Sequence, residues 1–370
     1  MPQTRHTSLT EEGGGVGRPL VVPVHNLGAG GNQPPHWEPP PHGLSWPHVM
    51  VNAYFLRRHH RKESHLSPRV VAWVDSGGFL YIRDKTRELA GRHGTGRGAR
   101  EPDRSPEDEG LVEEVLRRQE GFGADYAFTL DYPLHGADGD ALHRLRVTAR
   151  NAAIAYQLRT RRSMRLLVVL HYRSAAELRL LLRLLSSELR ARAGLRLDEV
   201  DGFAVGGLVP YRGKPLYIAE RLREARRLLP RGAWLHVLGV ASPVNIPLLY
   251  AAGADSMDSK TFIIAAAKRL WYAPPDAYLG GRLPARIEAR GSRLRPHEHC
   301  ACPVCSRYDT LDEMADEPRA LALHNLWVTL RAARLAADEP EETLRRLAER
   351  NPRMRGLRVP APEALKEPTV

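Results

Sequence analysis

Long apolar runs are missing from this 370-residue chain. No stretch of about 18 or more apolar residues occurs, so no transmembrane helix is expected. The N-terminus lacks a basic segment leading into an apolar one, so no secretory signal is expected either. Cysteine is scarce: the three present are odd in number and spaced like metal ligands, which argues against a disulfide framework and for a reducing, cytoplasmic setting. No G-x-G-x-x-G turn links a strand to a helix, which disfavours an open dinucleotide-binding sheet. Acid is in deficit, with Asp+Glu 43 against Lys+Arg 55, a net charge of +12. A GC-rich coding bias accounts for arginine over lysine but not for base over acid, so a polyanionic partner, nucleic acid, is expected. What is present suffices for a core: 42% of residues are hydrophobic, and the length suits one large domain or one large and one small.

All three cysteines fall in Cys300-Ala-Cys302-Pro-Val-Cys305, and His324-Asn325 follows near the start of an apolar-periodic helix. Three thiolates and one imidazole make a closed tetrahedral shell for structural Zn2+, with no position left for substrate. His297 and His299 are alternatives for the fourth ligand. The bland alternative is three small thiols that merely pack. The turn at Pro303 inside the run and the placement of His324 favour a metal.

Along the chain, short apolar runs end abruptly in polar or glycine residues. Val70 to Val74 runs into Asp75, Tyr126 to Leu130 into Asp131, and Leu166 to Leu170 into His171. Phe203 to Val205 meets Gly206-Gly207, Leu235 to Leu238 meets Gly239, and Ala254 to Met257 meets Asp258. Between them, leucines recur at helical spacing over Leu111 to Gln119, Ala175 to Arg192, Leu216 to Leu229 and Val244 to Ala252. Repeated strand–helix units over about 250 residues predict an α/β chain folded as a (β/α)8 TIM-type barrel, with a zinc-binding subdomain towards the C-terminus. The expected organisation is 1–45 mostly flexible, 46–290 the barrel catalytic domain, 291–352 a zinc-binding helical subdomain, and 353–370 a loose tail. Leu20 to Val24 reads as a short edge strand, and 84–110 reads as a polar excursion.

In such barrels the chemistry sits at the C-terminal ends of strands. Asp75 and Asp258 fall there as a carboxylate pair suited to exchange at an anomeric carbon, one as nucleophile and one handling protons. A single aspartate after a strand is more often a helix N-cap than a catalyst; the constellation on one barrel rim lifts the catalytic reading. Asp75-Ser-Gly-Gly-Phe79 reads as a pocket floor that admits a planar ligand, with Phe79 to stack on it. Gly206-Gly207 offers backbone access, and Asp131 suits a guanine-like N–H/NH2 edge.

VDSGGF at 74–79, FTLD at 128–131, VGGLVP at 205–210, LGVASP at 238–243, GADSMDS at 253–259 and the C-x-C-P-V-C…HN signature resemble the tRNA-guanine transglycosylase superfamily, from about Val70 to Ala333. The resemblance implies replacement of guanine in a nucleic acid by a free 7-deazaguanine base such as 7-cyano-7-deazaguanine. By position, Asp258 would be the nucleophile at C1′ and Asp75 the general acid/base. Phe79, Asp131, His171, Gly206, Gly207 and Gly239 would contact substrate. Two departures from the bacterial tRNA enzymes stand out: Leu80 and His171-Tyr172 replace glutamines. The core looks closer to the archaeal branch. Little chain follows the zinc helices, where archaeal tRNA enzymes add RNA-binding domains, so the expectation leans to DNA, as in the DNA-guanine transglycosylases, with tRNA as the alternative. A non-catalytic nucleic-acid-binding relative is the reading from another class. A homodimer or a helper protein is compatible with the resemblance, and no membrane partner is expected.

Overall fold

The computed structural model describes residues 19–27, 33–82, 105–134 and 140–354. Eight strands form one sheet: β1 (Leu20–Pro23), β2 (His48–Asn52), β3 (Val71–Asp75), β4 (Tyr126–Phe128), β5 (Arg165–Leu170), β6 (Phe203–Val205), β7 (Leu235–Val237) and β8 (Ser256–Ser259). Their order is β1-β8-β7-β6-β5-β4-β3-β2, so from β2 to β8 strands adjacent in sequence are neighbours, and β1 pairs with β8. The registers pair Val22 with Asp258, Trp73 with Tyr126, Ala127 with Leu166 and Val168 with Phe203, all in parallel ladders. This is the (β/α)8 fold that the strand–helix pattern predicts.

Helices α1 (Glu109–Phe122), α2 (Ala141–Leu158), α3 (Ala175–Glu188), α4 (Pro215–Leu228) and α5 (Ile246–Ala251) separate strands. Their boundaries follow local chemistry. The Asp108 carboxylate accepts from Gly110 N to open α1, and Gly123, at φ +93°, closes it. Ser174 accepts from Glu177 N to open α3, whose Leu178, Leu181, Leu182 and Leu185 form one buried stripe. Each such leucine contributes about 1.5–3 kcal/mol.

The chain divides into two compact units, one of Met1–Val49, Pro210–Arg223 and Val237–Val370, the other of Met50–Val209 and Glu224–His236. In the second unit Trp73 stacks on Tyr126, with centroids 3.9 Å apart and planes 4° from parallel. Buried His236 sits 5.3 Å from Trp73 and 5.0 Å from Phe128. The first unit continues through α6 (Thr261–Ala267), a hairpin of β9 (Leu270–Tyr272) and β10 (Arg286–Glu288), α7 (Pro275–Leu279), α8 (Leu311–Ala315), α9 (Pro318–Asp338) and α10 (Pro340–Arg350). Val328 of α9 packs with Ala265 and Tyr272. Among the described residues no helix is long and apolar enough to cross a membrane.

In the N-terminal stretch the strand expected of Leu20 to Val24 is present. Leu20–Pro23 is a full member of the sheet, with Val21 and Val22 buried, too short for its periodicity to be read. In the Gly/Pro/His-rich stretch, His36 and Leu44 are buried and the Trp46 indole donates to Val21 O at 3.0 Å. The final strand runs on through Ser259, so Asp258 lies inside it rather than after it. Residues 1–18, 28–32, 83–104, 135–139 and 355–370 lie outside the described residues, and with them parts of the expected flexible segment and tail and most of the polar excursion.

Candidate active site and metal centre

Asp75 closes β3, and the side chain of Asn52, the last residue of β2, donates to it: Nδ2 to Oδ2 at 2.6 Å. The amide cannot turn over, because its Oδ1 accepts the N–H of Tyr54 at 2.9 Å and caps the turn Ala53–Phe55. Gly77 sits at φ +84°, where a Cβ would lie 2.7 Å from Asn52 Oδ1. A Cβ on Gly78 would lie 2.6 Å from both the backbone oxygen and Oδ1 of Asp131. The paired glycines, read from sequence as admitting a ligand, also let the β3 loop close onto Asn52 and Asp131.

Asp131 is buried, 6% exposed, and accepts from Ser76 Oγ at 3.2 Å. Its other oxygen lies 2.7 Å from Nε2 of buried His171. The imidazole lies over the glycine pair that follows β6. A Cβ on Gly206 would come 2.5 Å from His171 Nε2, and one on Gly207, at φ +75°, 2.8 Å from Nδ1. Asp131, His171, Gly206 and Gly207 therefore form one cluster, with the ring filling the space that side chains at 206 and 207 would take. Phe79 is 53% exposed, a large apolar surface near the end of β3.

Asp258, 5% exposed, accepts the N–H of Gly239 at Oδ1, 2.8 Å away. Gly239, expected among substrate contacts, directs its N–H to the carboxylate, and its φ of +77° belongs to the region that favours glycine. Ala241 N donates to Asp258 O at 3.1 Å and anchors the backbone of the same residue.

The thiols of Cys300, Cys302 and Cys305 and the imidazole of His324 are all buried, with ligand atoms within 4.8 Å of one another. His324 Nδ1 lies 3.7, 3.4 and 3.2 Å from the three sulfurs in chain order. A tetrahedral ion with ordinary Zn–S and Zn–N bonds separates S from N by about 3.5 Å. His324 Nε2 donates to Tyr272 O at 2.8 Å, leaving Nδ1 as the lone-pair nitrogen facing the sulfurs, and Trp271 stacks on the ring with planes 4° apart. Burial drives the Cys300 and Cys305 thiols up, a cost that a dication able to bind thiolates removes. Of the candidate histidines it is His324 that joins the thiols; the His297 ring turns to Tyr308 O at 3.2 Å.

Three contributors went unread in the sequence. Asn52 and Ser76 are polar residues beside acids that become neighbours only through the sheet. Asn325 is buried and clamps β9 by accepting from Tyr272 N and donating to Leu270 O, both at 2.9 Å. Its place beside His324 was the one available signal.

Fold and cluster together define a (β/α)8 protein able to hold a metal ion on three thiols and an imidazole. The chain belongs to the tRNA-guanine transglycosylase family: the family model described as Queuine tRNA-ribosyltransferase matches residues 109–339. Among similar proteins, a tRNA-guanine(15) transglycosylase of Methanopyrus kandleri is 28% identical over 295 residues, 77% of this chain and 56% of that protein. Proteins of the same name from Aeropyrum pernix and Pyrococcus abyssi are 32% and 33% identical over 144 and 155 residues, 37% and 38% of this chain and 26% and 24% of theirs. The chain thus spans about half the length, or less, of the curated relatives it matches.

Proposed function

We propose that the protein exchanges guanine in tRNA for a free 7-deazaguanine base through a covalent sugar–enzyme intermediate. The observation that carries the reading is Asp258, a buried carboxylate in the penultimate position of β8, before Ser259, oriented by the Gly239 N–H. In this reading the second Asp258 oxygen attacks C1′, the C1′–N9 bond breaks, and guanine leaves as its ring nitrogen takes a proton from Asp75. The incoming base returns its N9 proton to Asp75 and displaces the Asp258 carboxylate from C1′. Asn52 aims Asp75. Asp131 and His171 meet the polar edge of the base above Gly206 and Gly207, and Phe79 stacks on it. Zinc held by Cys300, Cys302, Cys305 and His324 is structural, fastening the segment before α8 to α9.

The relatives named for tRNA support tRNA better than the DNA expected from the sequence. The test supplies labelled guanine with bulk tRNA, duplex DNA or single-stranded DNA, with Asp258→Asn in parallel. Label entering tRNA, and lost in the variant, is the expected result. Label entering only DNA restores the DNA reading. Label entering none, with zinc bound, leaves a binding protein.

A further inference from the structure

Four of the six phenylalanines, Phe122, Phe128, Phe203 and Phe262, are at most 2% exposed. The other two stand half in solvent, Phe55 at 50% and Phe79 at 53%, and each follows the end of one of two neighbouring strands, β2 and β3. The hydrogen bond from Asn52 to Asp75 ties those strand ends together, so Phe55 stands three residues beyond the amide that aims Asp75. A single exposed apolar residue is ordinary on a protein surface. Phe55 differs in how firmly its backbone is held. Ala53 and Leu56, flanking it, are buried, and Leu56 N donates to Ala53 O at 3.1 Å. Asn52 Oδ1 accepts from Tyr54 N, and the largely buried Arg118 guanidinium, paired with Glu114, donates to Ala53 O at 3.3 Å and to Tyr54 O at 3.4 Å. The Tyr54 ring meets those of Phe55 and Tyr81 at steep angles, with centroids 5.2 and 5.0 Å away. An aromatic ring is thus offered to solvent on a turn with little freedom to move.

The residues that follow are cationic. Arg57 and Arg58 are exposed on a turn closed by His60, whose Nδ1 accepts from Arg57 N at 3.1 Å and whose N–H donates to Arg57 O at 3.0 Å. Arg61 fastens the same turn by donating to Arg58 O at 2.6 Å and His60 O at 3.0 Å. A fixed aromatic ring beside exposed guanidinium groups fits a polyanion that carries planar rings, a single-stranded stretch of polynucleotide. Base exchange creates the need for such a ring. A nucleotide whose C1′ is to be attacked leaves its stack, and the neighbouring base loses a partner.

We propose that Phe55 stacks on the base adjoining the exchanged nucleotide and replaces the stack that extrusion of that nucleotide breaks. The inference deepens the transglycosylase reading and rests on it. Phe55 is a positioning residue in this scheme: it holds a neighbouring base, not the reacting atoms.

The test compares the full-length zinc-loaded protein with Phe55→Ala, Phe55→Leu and Phe55→Trp. Fluorescence anisotropy across a salt series follows binding of the polynucleotide that accepts labelled guanine, expected to be tRNA. Losing one base–aromatic stack weakens binding about 5- to 150-fold, and that loss is expected in Phe55→Ala. Phe55→Leu keeps apolar bulk without a π-face and stays weak, whereas Phe55→Trp restores the affinity. No charge changes, so the slope of log K against log salt keeps its wild-type value in all three. Melting temperatures also stay at the wild-type value, because the side chain stands half in solvent; a purely structural phenylalanine gives a lower one. Wild-type affinity in Phe55→Ala, full restoration by Phe55→Leu, an altered slope or a lowered melting temperature overturns the inference, while guanine exchange by the wild-type protein leaves the function standing. Wild-type protein that exchanges labelled guanine into neither tRNA nor DNA overturns both.

Discussion

Asn52 donates to Asp75 at 2.6 Å while its own carbonyl oxygen is pinned by the N–H of Tyr54. The proposed proton-handling carboxylate is therefore aimed by a group with one available orientation. Asn52→Ala removes a hydrogen bond to a charged acceptor, worth about 1.5–3 kcal/mol. The expected effect is a fall in kcat for base exchange of about 10- to 100-fold, with KM for the polynucleotide little changed. Steady-state exchange assays check it, and a change confined to KM would reassign Asn52 to binding.

Gly206→Ala places a methyl 2.5 Å from His171 Nε2, the atom that meets Asp131. The ring must move, so the variant is expected to lose about 1–3 kcal/mol of stability to overpacking and at least about tenfold in exchange rate. In a His171→Ala background the same methyl meets no ring and its stability cost should largely vanish. Urea denaturation of the four proteins in this cycle reads the coupling; additive costs would mean that the ring and glycine do not meet.

Metal analysis of the purified protein is expected to find one zinc per chain, lost in Cys302→Ser. Breaking a closed site of this kind costs several kcal/mol, so melting should fall by about 10 °C or more. Because Trp271 stacks on His324, near-ultraviolet circular dichroism should change on chelation. A chelator-treated protein with unaltered melting and spectrum would remove zinc from the fold.

His36 is buried, and desolvation holds its pKa down to about 3, with His25 at about 4. Both are lowered from an unfolded value near 6.5, so the unfolded chain takes up protons that the native state refuses. Stability is complete above about pH 6.5 and is lost as pH falls from there towards 3–4, by up to about 1.4 kcal/mol per pH unit for each group. Unfolding at pH 7.5 and pH 5 checks the sign. His36→Gln, whose amide can still donate to His48 O, should flatten the dependence by roughly half.

How much of this was legible in the sequence differs by element. Apolar runs of β-branched residues gave β3, β5 and β6 to within about two residues, because a strand buried on both faces leaves a continuous apolar trace. The leucine stripes of α3 and α4 and the C-x-C-x2-C run are likewise local patterns, and each names its own structure. Acids at strand ends could be picked out for the same reason, since the fold class dictates where a strand end lies. What a residue meets across the sheet has no such trace. Val22 beside Asp258, Asn52 beside Asp75, and the His171 ring over Gly206 and Gly207 join positions 23 to 236 residues apart, and β1 is too short to show a period. Periodicity reports how one segment divides its surface between core and solvent. Which polar atoms then become neighbours is decided by strand order and register, and only the tertiary structure supplies those.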